Sequence, residues 1–449
     1  MLNSKFSYSL GNNPRTTLLL KNIILSFFTK GWSAVATLLM VPLTITCLGT
    51  YKNGVWLTIS SLLVWIDQMD IGLGNGLRNI LAIHMAHDNR GEAQKIISST
   101  VAMLVCIMFP VALILSFLIW HTDVYLFLNV DEKLLPELRT VLTSATLLVC
   151  ITFVFKFINN FYMGLQLPAV SNLILAAGQT LSLLFTYILL ETGNASFSNV
   201  VSANLISPLL VYLVTYPYTF YIKFPHLRPS WRSINLKSAL SIGNLGVRFF
   251  WLQIASLIQF MSANILISNL FSPEMVTPYQ ITYRYLSVVL VLFTVVCMPF
   301  WNATTDAFER NDMDWIRKAN KKLNLMTIGI MVCLVLMVLC SEWVYGIWIK
   351  DKCTVPLSMT IMMAVYIFLL ILSMRYSYFL NGIGALRLQM YMTFMSILFI
   401  PLAWFVSTLS HDIIYFLLVM CVCNLPGLAV NIIQFNKIIN KKAEGLWRI

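Results

Sequence analysis

The chain has 449 residues, of which 59% are hydrophobic and only 11% charged. A soluble protein averages about 25% charged residues, so this composition excludes an ordinary soluble domain and places the chain in lipid. The formal net charge of +12 would suit a nucleic-acid binder, but the basic residues cluster in short loops on one side of the predicted spans, which removes nucleic acid as a partner.

A membrane-crossing helix needs about 20 mostly apolar residues. The apolar runs predict twelve spans, at roughly 22–48, 55–78, 97–120, 138–163, 169–190, 199–221, 239–269, 276–301, 323–348, 356–380, 387–409 and 412–436. Every connection is short, which leaves no room for a soluble domain. Residues 1–21 read as a basic tail rather than a cleavable leader. Of the nine cysteines only Cys353 falls in a clear loop, so they read as small buried hydrophobes rather than a disulfide frame or metal set.

Lys and Arg set the orientation. With the amino terminus inside, the inner segments hold 19 of them and the outer segments 5, which predicts cytoplasmic termini at both ends.

An offset near 220 residues relates the two halves. Lys30 matches Arg248, Lys156 matches Arg375, and the FYMG turn ending at Gly164 matches FLNG ending at Gly382. The loop from His87 resembles that from Glu309 at an offset of 222. Six spans per half is an even number, so the two halves enter the membrane in the same direction, an arrangement typical of transporters built from parallel repeats. The expected architecture is all-α and polytopic, with about twelve helices in two parallel six-helix bundles around a central cleft. Its parts are an amino-terminal segment (1–21), two bundles (22–222 and 239–436), a linker between them (223–238) and a carboxy-terminal tail (437–449).

Charged residues inside a membrane are costly and mark pathways. The spans hold Lys30, Lys156, Arg248, Arg284 and Arg375, with Arg78 at a helix end, against only Asp67 and Asp70. Mutual ion pairing cannot satisfy this excess of cations, so water, backbone carbonyls or an anionic substrate must meet the rest. Ser26, Lys30, Ser33, Thr37 and Thr44 form one stripe at helical period in the first span. Ser241, Asn244, Arg248, Ala255, Gln259 and Ser262 form another in the seventh. In a continuous helix Asp67, Asp70, Gly74 and Arg78 share one face. Gly72, Gly74 and Gly76 copy the spacing of a dinucleotide fingerprint, but no strand precedes them. They read instead as loosening the helix or admitting a close neighbour.

The stretch Tyr51–Asn79, YKNGVWLTISSLLVWIDQMDIGLGNGLRN, resembles the second-helix signature of bacterial O-antigen and capsule repeat-unit flippases. These belong to the multidrug/oligosaccharidyl-lipid/polysaccharide (MOP) exporter superfamily, which is MATE-like. The match lies in Asn53–Trp56 and Asp70–Asn79. The resemblance implies a pair of bundles alternating in access within the bacterial inner membrane, with an oligosaccharide on undecaprenyl diphosphate as cargo. It also implies membrane lipids, a polysaccharide polymerase and a chain-length regulator as partners, and no cofactor beyond a coupling H+ or Na+. On this reading Arg248 and Lys30, supported by Arg284, attract the diphosphate, and Lys156 and Arg375 meet it at the cytoplasmic mouth. Asp67 and Asp70, with Gly74, Gly76 and Arg78, serve coupling and gating. Two relatives of the same superfamily are the alternatives, a cation-coupled multidrug exporter and a peptidoglycan lipid-precursor flippase. A cavity for lipophilic cations should be acidic or aromatic, whereas this interior is net basic. A membrane enzyme fits poorly, because all five histidines lie in or near loops and no loop is large.

Overall fold

A computed structural model describes residues 14–68, 73–165, 167–235, 262–350, 352–385, 387–410 and 412–447, and these contain helices and turns but no strand. The helices are α1 (Pro14–Gln68), α2 (Leu73–Ala86), α3 (Arg90–His121), α4 (Val124–Leu128), α5 (Leu138–Phe155), α6 (Phe157–Gly164), α7 (Pro168–Glu191) and α8 (Phe197–Pro217). After them come α9 (262–270), α10 (Pro273–Glu309), α11 (Met313–Leu339), α12 (Ser341–Ile349), α13 (Leu357–Ile383), α14 (Arg387–Met395), α15 (Phe399–Leu409) and α16 (Ile413–Ile439). Eight of the described helical runs are long and apolar enough to cross a membrane. Helix occupies all twelve predicted spans, the seventh being described only over 262–270. The protein is a multi-pass, all-α membrane protein.

The structure departs from the expected span limits in instructive places. The first two spans are joined in α1 and separated only at Gly49, whose φ of 70° and ψ of 172° break the helix. That region is rarely open to residues with a Cβ, so one glycine does the work expected of a loop. Of the span expected over 55–78, residues 55–68 lie in α1 and 73–78 in α2. The ninth span ends at Leu339, and a separate short helix, α12, follows it.

Two turns, one in each sequence half, share a local backbone geometry. Asp88 and Asn311 both adopt positive φ, at 52° and 57°. Each is followed by a capping residue, Asn89 or Asp312, whose side chain accepts from the backbone N–H three residues on, of Glu92 or Trp315. These caps satisfy donors that a helix start leaves orphaned. The short helices α4 and α12 likewise end on left-handed residues, Asn129 and Lys350, both at φ 53°.

Two compact units result, and they exchange segments relative to the linear halves. One comprises residues 1–47, 66–123 and 136–250; the other comprises 48–65, 124–135 and 251–449. In the second unit, residues 48–65 of α1 and the α4 region pack with the carboxy-terminal helices. Its core includes Phe293, Tyr366, Ile367, Phe379, Phe399 and Phe416, all essentially buried. In the first unit, Phe157, Phe161, Tyr162 and Phe220 form an aromatic core with ring centroids 5.0–5.7 Å apart between successive members.

Among the cysteines, Cys353 lies in the loop between α12 and α13, and burial pushes its thiol up to about 11. A thiolate, the reactive form, is scarce well below that value. Maleimide labelling of Cys353 should therefore climb about tenfold per pH unit from neutrality to pH 10, where an ordinary thiol would already have levelled off.

Candidate functional site

Within the second unit, α1 and the start of α10 form a tight polar seam. Pro273 opens α10, where its missing N–H costs nothing. Its carbonyl oxygen lies 1.7 Å from the point a Cβ on Gly54 would occupy. Only a residue with no side chain permits that approach. Around this contact, Asn53 Nδ2 donates to Thr277 Oγ1 at 3.2 Å, and Thr277 Oγ1 donates to the Thr50 carbonyl at 2.8 Å. The α4 region joins through Ser268 Oγ to the Leu128 carbonyl at 2.8 Å, and through Asn129 Nδ2 to the Ser268 carbonyl at 3.0 Å.

One turn further along α10, a bridge replaces direct contact. Gln280 Nε2 donates to Asn264 Oδ1 at 2.7 Å, and Asn264 Nδ2 donates to the Leu57 carbonyl at 3.2 Å. Arg284 follows Gln280 by four residues and so lies on the same face, about 6 Å deeper. It is half-buried, with no carboxylate within ion-pair distance among the described residues. Trp65 Nε1, on α1, is also buried with no acceptor. The seam thus gives way to an interior edged by unmatched donors.

Arg375 behaves differently. It is 4% exposed inside the second unit, where Nη1 donates to Asn324 Oδ1 at 2.6 Å and Nη2 donates to the Tyr376 hydroxyl. Its Cζ lies 4.3 Å from the Tyr376 ring centroid, close enough for cation–π attraction. Nε has no partner. This side chain does not snorkel to a headgroup, because α11 supplies its acceptor from within the bundle. Beside it on α13, Ser373 and Ser377 accept from Asn431 Nδ2 at 3.1 and 3.0 Å. Gln434, fully buried one turn along α16, has neither amide atom satisfied. Buried amides without partners are rare, and these mark a polar strip through the carboxy-terminal helices.

The remaining cations lie in the first unit. Lys30 is exposed on α1, on the opposite face from Trp32, whose Nε1 donates to Thr180 Oγ1 of α7 at 2.8 Å. Ser33 and Thr37 accompany Lys30 on that face, as the stripe predicted. Lys156 is half-buried at the bend between α5 and α6. Arg78 is exposed on α2, while Gly74 and Gly76 of the same helix are buried. Asp67 is the penultimate residue of α1; its side chain, like Asp70 and Arg248 as a whole, lies outside the described residues.

Ion pairing among the described residues is confined to Asp88–Arg90, Glu92–Lys95 and Asp314–Arg317, at 3.0, 2.8 and 2.8 Å. All three lie in loops or first turns, where hydrogen bonding to Lys95 also lowers the Glu92 pKa. No described cluster of His, Cys, Asp and Glu could hold a metal ion. Sequence reasoning missed Asn324, Asn431, Gln434, Gln280 and Asn264. The only available signal was a set of isolated amides in apolar runs, with Asn320 and Asn324 one turn apart.

No protein-family model matches the chain. A curated Salmonella typhimurium protein named "Putative O-antigen transporter" is 22% identical over 343 residues, spanning 73% of this chain and 74% of that protein. The solved inward-facing conformation of a multidrug resistance MATE family transporter of the MOP superfamily is similar at a TM-score of 0.76. That match covers 92% of this chain and 96% of the other at 14% identity. An outward-facing structure with the same description gives 0.61, covering 96% and 97% at 14% identity. A Vibrio cholerae MATE transporter variant gives 0.62, covering 96% and 99% at 12% identity. The chain therefore has the fold of MATE family transporters of the MOP superfamily, the superfamily that its Asp70–Asn79 block resembles.

Proposed function

We propose that this protein is a flippase. Its cargo is an oligosaccharide repeat unit on undecaprenyl diphosphate, carried from the cytoplasmic to the outer leaflet of the bacterial inner membrane for surface-polysaccharide synthesis. The observation that carries this reading is the sign of the charges within the spans. Lys30 and Arg284 are span cations with no carboxylate partner among the described residues, while every described ion pair lies outside the spans. A diphosphate with its sugar cannot cross hydrocarbon unaided, since burying charge and unpaired hydroxyls is prohibitive. Cations and hydroxyls replace that hydration, and the polyprenyl chain stays in lipid. The resemblance to the Salmonella protein supports the same cargo class.

The proposed roles divide by environment. Arg284 and Lys30, with Arg248, attract the diphosphate; Lys156 receives it at the cytoplasmic mouth. Arg375, enclosed by Asn324 and Tyr376, contributes its positive potential from behind the lining rather than by direct contact. Asp67 and Asp70 hold the cations in the empty state or titrate with a coupling H+ or Na+. A polymerase and a chain-length regulator take over the product.

Arg284→Ala and Lys30→Ala, each present at native levels in the membrane, should cut polymer export by about tenfold or more, the value of one hydrogen bond to a charged group. Arg284→Lys should recover part of it, because the charge remains while the forked geometry is lost. Export at the native rate in both alanine variants would remove the substrate role. Export of a lipophilic cation in place of polymer would redirect the reading to a multidrug exporter.

A further inference from the structure

The segment joining the two sequence halves does not hang free. Phe224 packs its ring on Phe161 and Tyr162, at centroid distances of 5.6 and 6.5 Å, and Leu227 is fully buried. The following backbone is fastened to the first turns of α3. Gln94 Nε2 donates to the Arg228 carbonyl at 2.9 Å, Ser230 N–H donates to Ser98 Oγ at 3.0 Å, and Asn235 N–H donates to Ser99 Oγ at 2.9 Å. All of these residues belong to the first unit.

What this clamp presents outward is specific in composition. Trp231 is 82% exposed, and Tyr221, Ile222 and Ile234 are exposed near it in sequence. Lys223, Arg228 and Arg232 are exposed as well. Arg228 stacks its guanidinium 5.0 Å over the Tyr221 ring, and Lys223 lies 5.5 Å over Phe224. No Asp or Glu occurs anywhere from Thr192 to Pro273, and none of the described ion pairs involves these three cations. A rigid loop offering an exposed Trp among unneutralised cations combines an interfacial anchor with attraction for anionic lipid.

We propose that residues 223–235 form a peripheral anchor that seats on anionic phospholipid headgroups of the adjoining leaflet, Trp231 entering the interface while Arg228 and Arg232 hold phosphates. The partner is the lipid surface and not the cargo's diphosphate, because the cations surround an apolar side chain instead of a polar cavity. By holding α3 through Ser98 and Ser99, the anchor ties the first unit to the membrane surface.

The test uses the full-length protein in nanodiscs containing no cargo, with phosphatidylcholine and phosphatidylglycerol mixed at varied ratio and one or the other lipid brominated. Trp231→Phe isolates the Trp231 component of the fluorescence. That component should be quenched in preference by the anionic lipid, and the preference should fall about fivefold for each of Arg228→Gln and Arg232→Gln at low salt. In the unmodified protein, raising the salt should erase the preference, which keeps the test valid should a variant misfold. Equal quenching by brominated phosphatidylcholine and brominated phosphatidylglycerol would overturn the proposal. So would a preference for the anionic lipid that high salt and both glutamine variants leave unchanged, or one that appears only when a polyprenyl diphosphate is added.

Discussion

Gly54→Ala should be among the most damaging single-methyl additions to this protein, lowering the stability of the second unit by about 3 kcal/mol, the upper end for an overpacked site. The added carbon would coincide with the Pro273 carbonyl oxygen, 1.7 Å away. The obstacle is backbone at the start of a 37-residue helix, so no rotamer change relieves it. α1 and α10 must part, and with them go the hydrogen bonds of Asn53 and Thr277. The matched control is Gly31→Ala on the same helix, where a Cβ would meet nothing within 4 Å. That change should be neutral or slightly stabilising, since alanine favours helix over glycine by about 1 kcal/mol. Thermal unfolding in detergent compares the two. Accessibility of an introduced Thr50→Cys to a bulky maleimide should rise only in the Gly54→Ala background. Equal melting temperatures for the two alanine variants would show that the seam is looser than its geometry implies.

Asn324→Ala should cost more than removing the charge it serves. Asn324 Oδ1 accepts one of the two hydrogen bonds the Arg375 guanidinium makes, at 2.6 Å. Losing a hydrogen bond to a buried charge costs about 2 kcal/mol, and no described carboxylate stands by to replace it. Arg375→Met deletes the charge along with its need for partners. Apolar replacement of a buried ion is often close to neutral, so this variant should melt nearer to the native protein than Asn324→Ala does. In the Arg375→Met background, Asn324→Ala should then have little further effect. Export separates stability from function: Arg375→Met should fold and yet transport poorly, if the positive potential it supplies serves the cargo. An Asn324→Ala variant as stable as the native protein would mean that water takes the amide's place without penalty.

Much of the fold was legible because membrane helices advertise themselves. Among the described residues, helices lie in all twelve apolar runs, since a lipid-spanning backbone has few alternatives to helix. Helix starts were legible at the polar turns, where Asp88–Asn89 and Asn311–Asp312 cap a helix. Where the apolar run continued, the sequence was silent. Cys340 separates α11 from α12 inside a run read as one span, whereas at Gly49 the polar stretch 49–54 signalled a break but not that one glycine inside a joined helix makes it. The exchange of 48–65 and 124–135 into the second unit was invisible too, because it depends on matched shapes such as Gly54 on Pro273.

The cations show the same division. Their presence and depth can be read from position, and Lys30 emerged on the polar stripe that its neighbours predicted. Direction around the helix axis is harder. Arg375 has an apolar run on both sides, and only the arrival of Asn324 from α11 decides that it points into its own bundle. Asn431 looked like an isolated amide; its meaning comes from α13 serines more than 50 residues away in sequence.

The most direct test of the central claim is a flipping assay in proteoliposomes loaded with a labelled undecaprenyl-diphosphate oligosaccharide. External glycosidase reports which leaflet holds the sugar. The native protein should convert the protected fraction to a cleavable one within the assay, and Arg284→Ala at equal incorporation should slow this by about tenfold. A native protein that leaves the protected fraction unchanged while exporting a lipophilic cation would contradict the account.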